Sequence, residues 1–131
     1  MITLIIGLPG CGKSTKAKEL IKNGGLVYDL DAIAAAFTLS APHEDNNPQA
    51  RQMANDLLKG FTLTAPRYHD NIVIIRTAPT RNELYFLKPD LIIYKRTNYV
   101  ERETENTDFK KYRIKEVLQF ATLRHIKVIT E

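Results

Sequence analysis

The sequence predicts an α/β fold, a three-layer α/β/α sandwich built on a five-stranded parallel sheet. Short apolar runs alternate with segments of helical periodicity, the pattern that parallel strands joined by crossover helices produce. The first run, "ITLII" (2–6), is apolar apart from Thr3 and rich in β-branched residues, as in a strand buried on both faces. It leads directly into a glycine-rich turn, "GLPGCGKST" (7–15). We therefore expect the strand order 2-3-1-4-5, with the first strand in the middle of the sheet.

Composition indicates the size and class of the protein. The 131 residues, 44% of them hydrophobic, suffice for one compact core, so we predict a single domain over 1–131. The opening "MITLIIGLPG" reaches a glycine turn too soon for a signal peptide. The single cysteine, Cys11, cannot form an internal disulfide, which agrees with a reducing compartment. We therefore predict a cytoplasmic protein with no membrane segment. The net charge of +4 does not by itself indicate a nucleic-acid partner. The oligomeric state stays open.

The remaining elements follow from periodicity and terminal signals. Asn47 and Pro48 form an N-cap and a first-turn proline, Thr80 and Glu83 a capping box, and Asp31 a further N-cap. We predict strands at "LVYDL" (26–30), "IVII" (72–75), "DLIIY" (90–94) and "IKVIT" (126–130), and helices over about 13–22, 31–37, 48–63, 81–87 and 108–123.

The last helix and the segment before it differ in character. The segment 97–107, "TNYVERETENT", is polar and predicts a surface stretch. The helix that follows is amphipathic, and its predicted core-facing residues are Phe109, Tyr112, Val117, Leu118 and Ala121.

The stretch 7–15 fits the phosphate-binding pattern G-x-x-x-x-G-K-[ST], with a strand entering it and a helix leaving it. Its glycines let the backbone curl so that successive N–H groups face phosphate oxygens, and the helix N-terminus adds positive charge. Lys13 can reach the β and γ phosphates of ATP, and the Ser14 hydroxyl suits Mg²⁺. Without nucleotide we expect Lys13 to be merely a solvated charge. The predicted nucleotide-binding residues are Gly7, Gly10, Cys11, Gly12, Lys13, Ser14 and Thr15.

The acidic residues decide between classes of nucleotide-binding protein. No N-K-x-D motif is present, which argues against guanine-binding switches and favours ATP, although GTP stays open. The third strand ends in "IIRTAP", with Arg76 or Thr77 where large ATPases carry an acid. The second strand, in contrast, ends in "YDLDAI". We predict Asp31 as the catalytic base, unless it serves only as an N-cap, and Asp29 together with Ser14 as magnesium ligands.

These motifs resemble those of small P-loop kinases: the 5′-kinase domain of polynucleotide kinase, the zeta-toxin-like and adenylate-kinase-like families, and small ATP-binding proteins of bacteriophages. The resemblance rests on "GLPGCGKST" and "DLDAI" and covers about residues 1–95. It implies a P-loop NTPase fold and transfer of the γ-phosphate of ATP to a nucleotide, nucleoside or nucleic-acid 5′-hydroxyl acceptor. In the polynucleotide kinase group an aspartate at the position of Asp31 activates the acceptor hydroxyl. The arginine usual three residues later is replaced by Ala34.

The same resemblance implies a lid that brings an arginine over the nucleotide. The stretch "KRTNYVERETENTDFKKYR" offers Arg96, Arg102 and Arg113, of which Arg102 is preferred as a catalytic residue. A solvated loop with surface ion pairs explains this stretch equally well. Arg76 and Arg81, after the third strand, are further candidates for contact with phosphate.

Two functions are therefore compatible with the sequence. The first is an ATP-dependent phosphotransferase that uses Lys13, Asp31 and a lid arginine. The second is a nucleotide-binding accessory or regulatory module with incomplete catalytic residues, suggested by Ala34 and by the missing acid after the third strand.

Overall fold

The computed structural model describes residues 1–41, 47–96 and 107–131. Strands and helices alternate along these ranges, and a single 3₁₀ turn, Ala65–Arg67, follows the third helix. The elements are β1 (Ile2–Ile6), α1 (Lys13–Leu20), β2 (Leu26–Asp29), α2 (Leu30–Phe37), α3 (Pro48–Thr64), β3 (Ile72–Ile75), α4 (Arg81–Leu87), β4 (Leu91–Tyr94), α5 (Thr107–Leu123) and β5 (Lys127–Thr130). Across the part of the chain so described, no helix is long and apolar enough to cross a bilayer.

The strands form one parallel sheet in the order β2-β3-β1-β4-β5. In β1, Ile5 lies opposite Ile75 of β3 on one side and Ile93 of β4 on the other, so β1 is the central strand. The predicted strand order is confirmed. Because all these strands run the same way, the residues that follow β1, β2, β3 and β4 meet at one edge of the sheet.

The side chains of the strands alternate between two helix-covered faces. On one face Leu4 and Ile74 join a core with Leu58 of α3, Leu84 of α4 and Val117 of α5. The other face is covered by α1, and its core residues are Ile5, Ala17, Val73, Ile75 and Ile93. The sheet is therefore flanked by helices on both sides, as the sequence predicts.

Two of the predicted helix starts are confirmed and one is wrong. The Asn47 side chain accepts from the backbone N–H of Ala50 at 3.0 Å, and Thr80 forms its capping box with Glu83. The N-cap of α2, however, is Asp29, whose Oδ1 accepts from the backbone N–H of Asp31 at 3.1 Å. Asp29 ends β2 in an extended conformation, which places its carboxylate over the first turn, so α2 begins one residue before the predicted start.

The predicted apolar face of α5 is correct in its second half and wrong in its first. Phe109 and Tyr112 are 59% and 58% exposed, whereas Ile114, Val117, Phe120 and Ala121 are buried. Tyr112 precedes Ile114 by two residues, which is a rotation of about 200° around a helix. The stripe that meets the sheet therefore starts at Ile114, and the two earlier aromatic rings lie off it.

Candidate functional site

The glycine-rich loop connects β1 to α1 at the centre of the carboxyl edge. The N–H of Gly7 donates to the carbonyl of Thr77 after β3, at 3.1 Å. Gly7, Gly10 and Gly12 have φ angles of 155°, 82° and 91°, a region that other residues rarely adopt. A Cβ at Gly7 would lie 2.6 Å from the carbonyl oxygen of Lys95, which follows β4. The neighbouring strands thus leave room only for glycine at the start of the loop.

The start of α1 lacks the side-chain oxygen that usually satisfies the first-turn amides. Gly12 is its N-cap and makes no side-chain hydrogen bond, and the first turn contains no acidic residue. The backbone N–H groups at this end, with the positive end of the helix dipole, are therefore suited to an external anion such as phosphate.

Lys13, the first residue of α1, is turned back onto the loop. Its Nζ donates to the carbonyl of Gly7 at 2.5 Å and to that of Leu8 at 3.2 Å. Burial lowers the pKa of Lys13 from its usual 10.5, while the neighbouring Cys11, Asp31 and Asp29 act in the opposite direction. The expectation of a merely solvated lysine is therefore wrong, because the ammonium group is partly desolvated and held by backbone oxygens.

A cavity of about 350 Å³ lies against this loop. Its wall brings together most of the predicted site residues: Gly10, Gly12, Lys13, Ser14, Thr15, Asp29 and Asp31. The two aspartates reach it because β2 pairs with β3, which in turn pairs with β1. Gly7 and Cys11 do not line this cavity. Gly7 contributes instead through the shape of the loop.

The two aspartates already have protein partners. One carboxylate oxygen of Asp29 caps α2, and Asp31 Oδ1 accepts from Arg51 Nη1 of α3 at 2.5 Å. The Asp31–Arg51 pair is partly open to solvent, with the two side chains 31% and 41% exposed. Both aspartates can therefore combine a structural contact with a position on the cavity wall.

The oxygen atoms on this wall suit a magnesium ion. The Ser14 hydroxyl and the carboxylates of Asp29 and Asp31 line the same cavity as Lys13, and hard oxygen ligands are what Mg²⁺ prefers. Within residues 1–41, 47–96 and 107–131, no three His, Cys, Asp or Glu side chains converge to form a metal site by themselves.

Arg76 occupies the place after β3 where an acid is absent. Its guanidinium donates to Asn55 Oδ1 at 2.5 Å and to Glu83 Oε1 at 3.2 Å, and its side chain is only 12% exposed. Glu83 is thus both the capping-box residue of α4 and the counter-ion of Arg76. Arg81, the other candidate after β3, is exposed and is not among the lining residues of this cavity.

Sequence reasoning missed the contribution of α3. Its first turns form a second cavity of about 390 Å³, lined by Leu30, Pro48, Arg51, Gln52, Asn55 and Arg76. Three of these residues, Leu30, Arg51 and Arg76, also line the first cavity, so the two spaces are contiguous. The available signal was the i, i+1, i+4 spacing of Arg51, Gln52 and Asn55 on a helix whose other face carries small buried residues.

The two lid candidates among the described residues, Arg96 and Arg113, lie in different places. Arg96 lines a third cavity of about 540 Å³ on the other side of the loop, together with Leu8, Tyr94, Lys95, Lys111, Tyr112, Ile114, Lys115 and Leu118. The guanidinium of Arg113 lies 5.7 Å from the centre of the Phe109 ring on α5. Arg102 lies outside the described residues, so the preferred lid residue stays a prediction.

Comparisons with known proteins agree with this architecture at the level of the fold. No family model and no curated protein matches the chain. Among solved structures, it is similar to a cysteine-to-alanine mutant of the Mycobacterium tuberculosis APS kinase CysC, with a TM-score of 0.51 and 15% sequence identity. The match covers 90% of this chain and 94% of that chain. With the sheet order 2-3-1-4-5 and helices on both faces, the chain has the P-loop NTPase fold.

Proposed function

We propose that the protein is an ATP-dependent phosphotransferase that passes the γ-phosphate to a hydroxyl group of a small-molecule or nucleic-acid acceptor. The observation that carries the proposal is the shared wall of the first cavity, where Lys13 and Ser14 of the phosphate loop meet Asp29 and Asp31. A phosphate loop binds a nucleotide, and a carboxylate beside it adds a proton acceptor.

Each residue has a role in this reaction. Lys13 and the first-turn amides of α1 bind the β and γ phosphates. On binding, the ammonium group of Lys13 exchanges the carbonyls of Gly7 and Leu8 for phosphate oxygens, so this desolvated cation gains a charged partner. Asp31 accepts the proton of the acceptor hydroxyl while the oxygen of that hydroxyl bonds to the γ-phosphorus. The bond between the γ-phosphorus and the bridging oxygen of the β-phosphate breaks at the same time, which releases ADP. Ser14 and Asp29 would hold Mg²⁺, which neutralises phosphate charge when it is bound.

The fold comparison supports this reading. The similar solved protein is named as a kinase, and its fold extends over nearly the whole of this chain. The third cavity supports a nucleotide site as well, because it adjoins the loop at Leu8 and carries Tyr94, Tyr112 and Arg96 as possible partners for a base or a phosphate. For the lid, Arg102 stays the preferred residue, with Arg96 and Arg113 as the alternatives.

The second candidate function is a nucleotide-binding accessory module without turnover. It is favoured by the contact between Arg51 and Asp31, because the guanidinium occupies the carboxylate oxygen that a catalytic base would use. Ala34 is 6% exposed and packed between α2 and α3, so no arginine is available there for the acceptor.

Labelled ATP decides between the two functions. The purified protein is mixed with Mg²⁺, labelled ATP and a panel of nucleosides, nucleotides and 5′-hydroxyl oligonucleotides, in parallel with Asp31→Asn and with Asp56→Asn as an exposed carboxylate control on α3. We expect label transfer by the wild type and by Asp56→Asn, and a loss of about a hundredfold or more in Asp31→Asn with ATP binding retained. ATP binding without transfer to any acceptor would favour the accessory module.

A further inference from the structure

We infer that Arg51 determines acceptor specificity: it binds an oxyanion, phosphate or sulfate, carried by a small acceptor, and this contact draws its guanidinium away from Asp31. The inference rests on the proposed phosphotransferase function and deepens it, because it specifies the chemical class of the acceptor. It follows from the position of Arg51 between the two contiguous cavities, from its exposure and from the nature of its partners.

Arg51 stands at the junction of the two cavities. It lines the first with Asp31 and the loop, and the second with Gln52 and Asn55 of its own helix. A molecule in the second cavity therefore meets this guanidinium on its way to the carboxylate and to the transferred phosphate. The volume of about 390 Å³ is in the range of small-molecule sites.

The contact between Arg51 and Asp31 is of a kind that can be exchanged. Its two side chains are 41% and 31% exposed, and pairs so open to water contribute little to stability. A phosphate or sulfate offers a guanidinium two parallel hydrogen bonds and a concentrated charge, which is the geometry that arginine binds best. An incoming oxyanion can therefore displace a single carboxylate contact at low cost.

Arg76 lines both cavities too, but its environment assigns it a different role. Its side chain is 12% exposed, and Asn55 and Glu83 already accept hydrogen bonds from it. Glu83 is itself 13% exposed and fixed by the capping box of α4, so this arginine is a rigid part of the wall. Arg51 is the arginine on this wall that has both solvent access and a replaceable partner.

The exchange would couple acceptor binding to proton transfer. In the described structure Arg51 Nη1 donates to Asp31 Oδ1 at 2.5 Å. In the proposed reaction this oxygen accepts the proton of the acceptor hydroxyl. When the guanidinium moves to the oxyanion, Arg51 no longer competes with the acceptor hydroxyl for Oδ1. An acceptor without the oxyanion leaves Arg51 on Asp31 and is phosphorylated slowly.

A binding experiment tests the inference without turnover. The protein is saturated with Mg²⁺ and a non-hydrolysable ATP analogue, so that the phosphate loop is filled, and sodium sulfate is titrated in a calorimeter at constant ionic strength. We expect saturable sulfate binding that weakens about ten- to a hundredfold in Arg51→Gln, less in Arg51→Lys, and not at all in Arg67→Gln, an exposed arginine on the 3₁₀ turn. Equal sulfate binding by wild type and Arg51→Gln, or none by the loaded wild type, would overturn the inference.

Matched acceptors provide the second measurement. Pairs that differ by one phosphate, such as a nucleoside and its monophosphate, are compared by kcat/KM in wild type and Arg51→Gln. We expect the preference for the phosphate-bearing member to shrink about ten- to a hundredfold in the variant. An equal loss on both members would refute the role of Arg51 and leave the phosphotransferase intact. Nucleotide binding with no transfer to either member, in contrast, would count against the proposed function itself.

Discussion

Lys13 Nζ lies 2.5 Å from the carbonyl oxygen of Gly7, so the cation of the phosphate loop is held by the loop's own backbone. The lysine is therefore positioned at the loop by the protein itself, and burial keeps its pKa below the usual 10.5. A partly desolvated ammonium group gains more from an anion than a hydrated one does, because less water has to be removed from it on binding.

Replacement of this lysine should separate nucleotide binding from folding. For Lys13→Ala we expect the dissociation constant for Mg²⁺-ATP to rise about ten- to a hundredfold, which is the contribution of a charge-assisted contact. Lys18→Ala, an exposed lysine in the last turn of α1, should bind ATP as the wild type does. Thermal melts without Mg²⁺-ATP measure the stability of each variant, and the increase in melting temperature on adding Mg²⁺-ATP measures nucleotide binding. If nucleotide raised the melting temperature of Lys13→Ala by as much as it raises that of the wild type, the phosphate-binding role of the loop would be refuted.

A pair of glycine substitutions should act in opposite directions. Gly7→Ala forces a Cβ to within 2.6 Å of the Lys95 carbonyl at a φ of 155°, and we expect it to lower the free energy of unfolding by more than about 1 kcal/mol and to abolish ATP binding. Gly60 lies inside α3 with open space around it, so Gly60→Ala should raise that free energy by about 0.5–1 kcal/mol. Urea unfolding of both variants checks the signs, and a stable, ATP-binding Gly7→Ala protein would contradict the loop geometry.

The two roles of Asp29 can be distinguished by a pair of variants. Asp29→Ala removes the N-cap of α2 and should lower the free energy of unfolding by about 0.5–2 kcal/mol. Asp29→Asn keeps a good capping oxygen but loses the charge, so its stability should stay close to that of the wild type while the Mg²⁺ concentration needed for ATP binding rises. An unchanged Mg²⁺ requirement in Asp29→Asn would mean that Asp29 only caps the helix.

Because Tyr28 is buried, we expect the protein to lose stability at high pH. Its hydroxyl donates to the carbonyl of Ala54 in α3, and burial raises its pKa to about 12 from 10.0. Between these values the folded state holds the proton that the unfolded state releases, so stability falls as pH rises, at up to about 1.4 kcal/mol per pH unit.

The variant Tyr28→Phe isolates this effect. It should be about 1 kcal/mol less stable than the wild type at pH 8, because the hydrogen bond to Ala54 is lost. The difference in free energy of unfolding between the two proteins should shrink from pH 10 upwards. Only the wild type loses stability there, because its folded state keeps the phenol protonated. Urea unfolding at a series of pH values measures the difference, and a gap that stayed constant to pH 11 would contradict the assignment.

Some features of the molecule could be predicted because they depend on residues close in sequence. The glycine-rich loop, the caps at Asn47 and Thr80, and the largely apolar first strand are signals contained in a few consecutive residues. The parallel strand order follows from them, since crossover connections are right-handed and the strand buried on both faces takes the centre. The convergence of Asp29 and Asp31 on the loop is a consequence of that order.

Other features needed the tertiary structure, because they join residues far apart in the chain. Arg51 meets Asp31 across 20 positions and Arg76 meets Asn55 across 21, and neither contact has a local sequence signal. The stripe of α5 that is buried was settled by packing against the sheet, which left Phe109 and Tyr112 outside it. By itself, therefore, the sequence determined where the glycine-rich loop and its neighbouring carboxylates lie. Only the packing of α3 against the carboxyl edge decided which arginine faces them, since helix placement depends on the whole core and not on nearby residues.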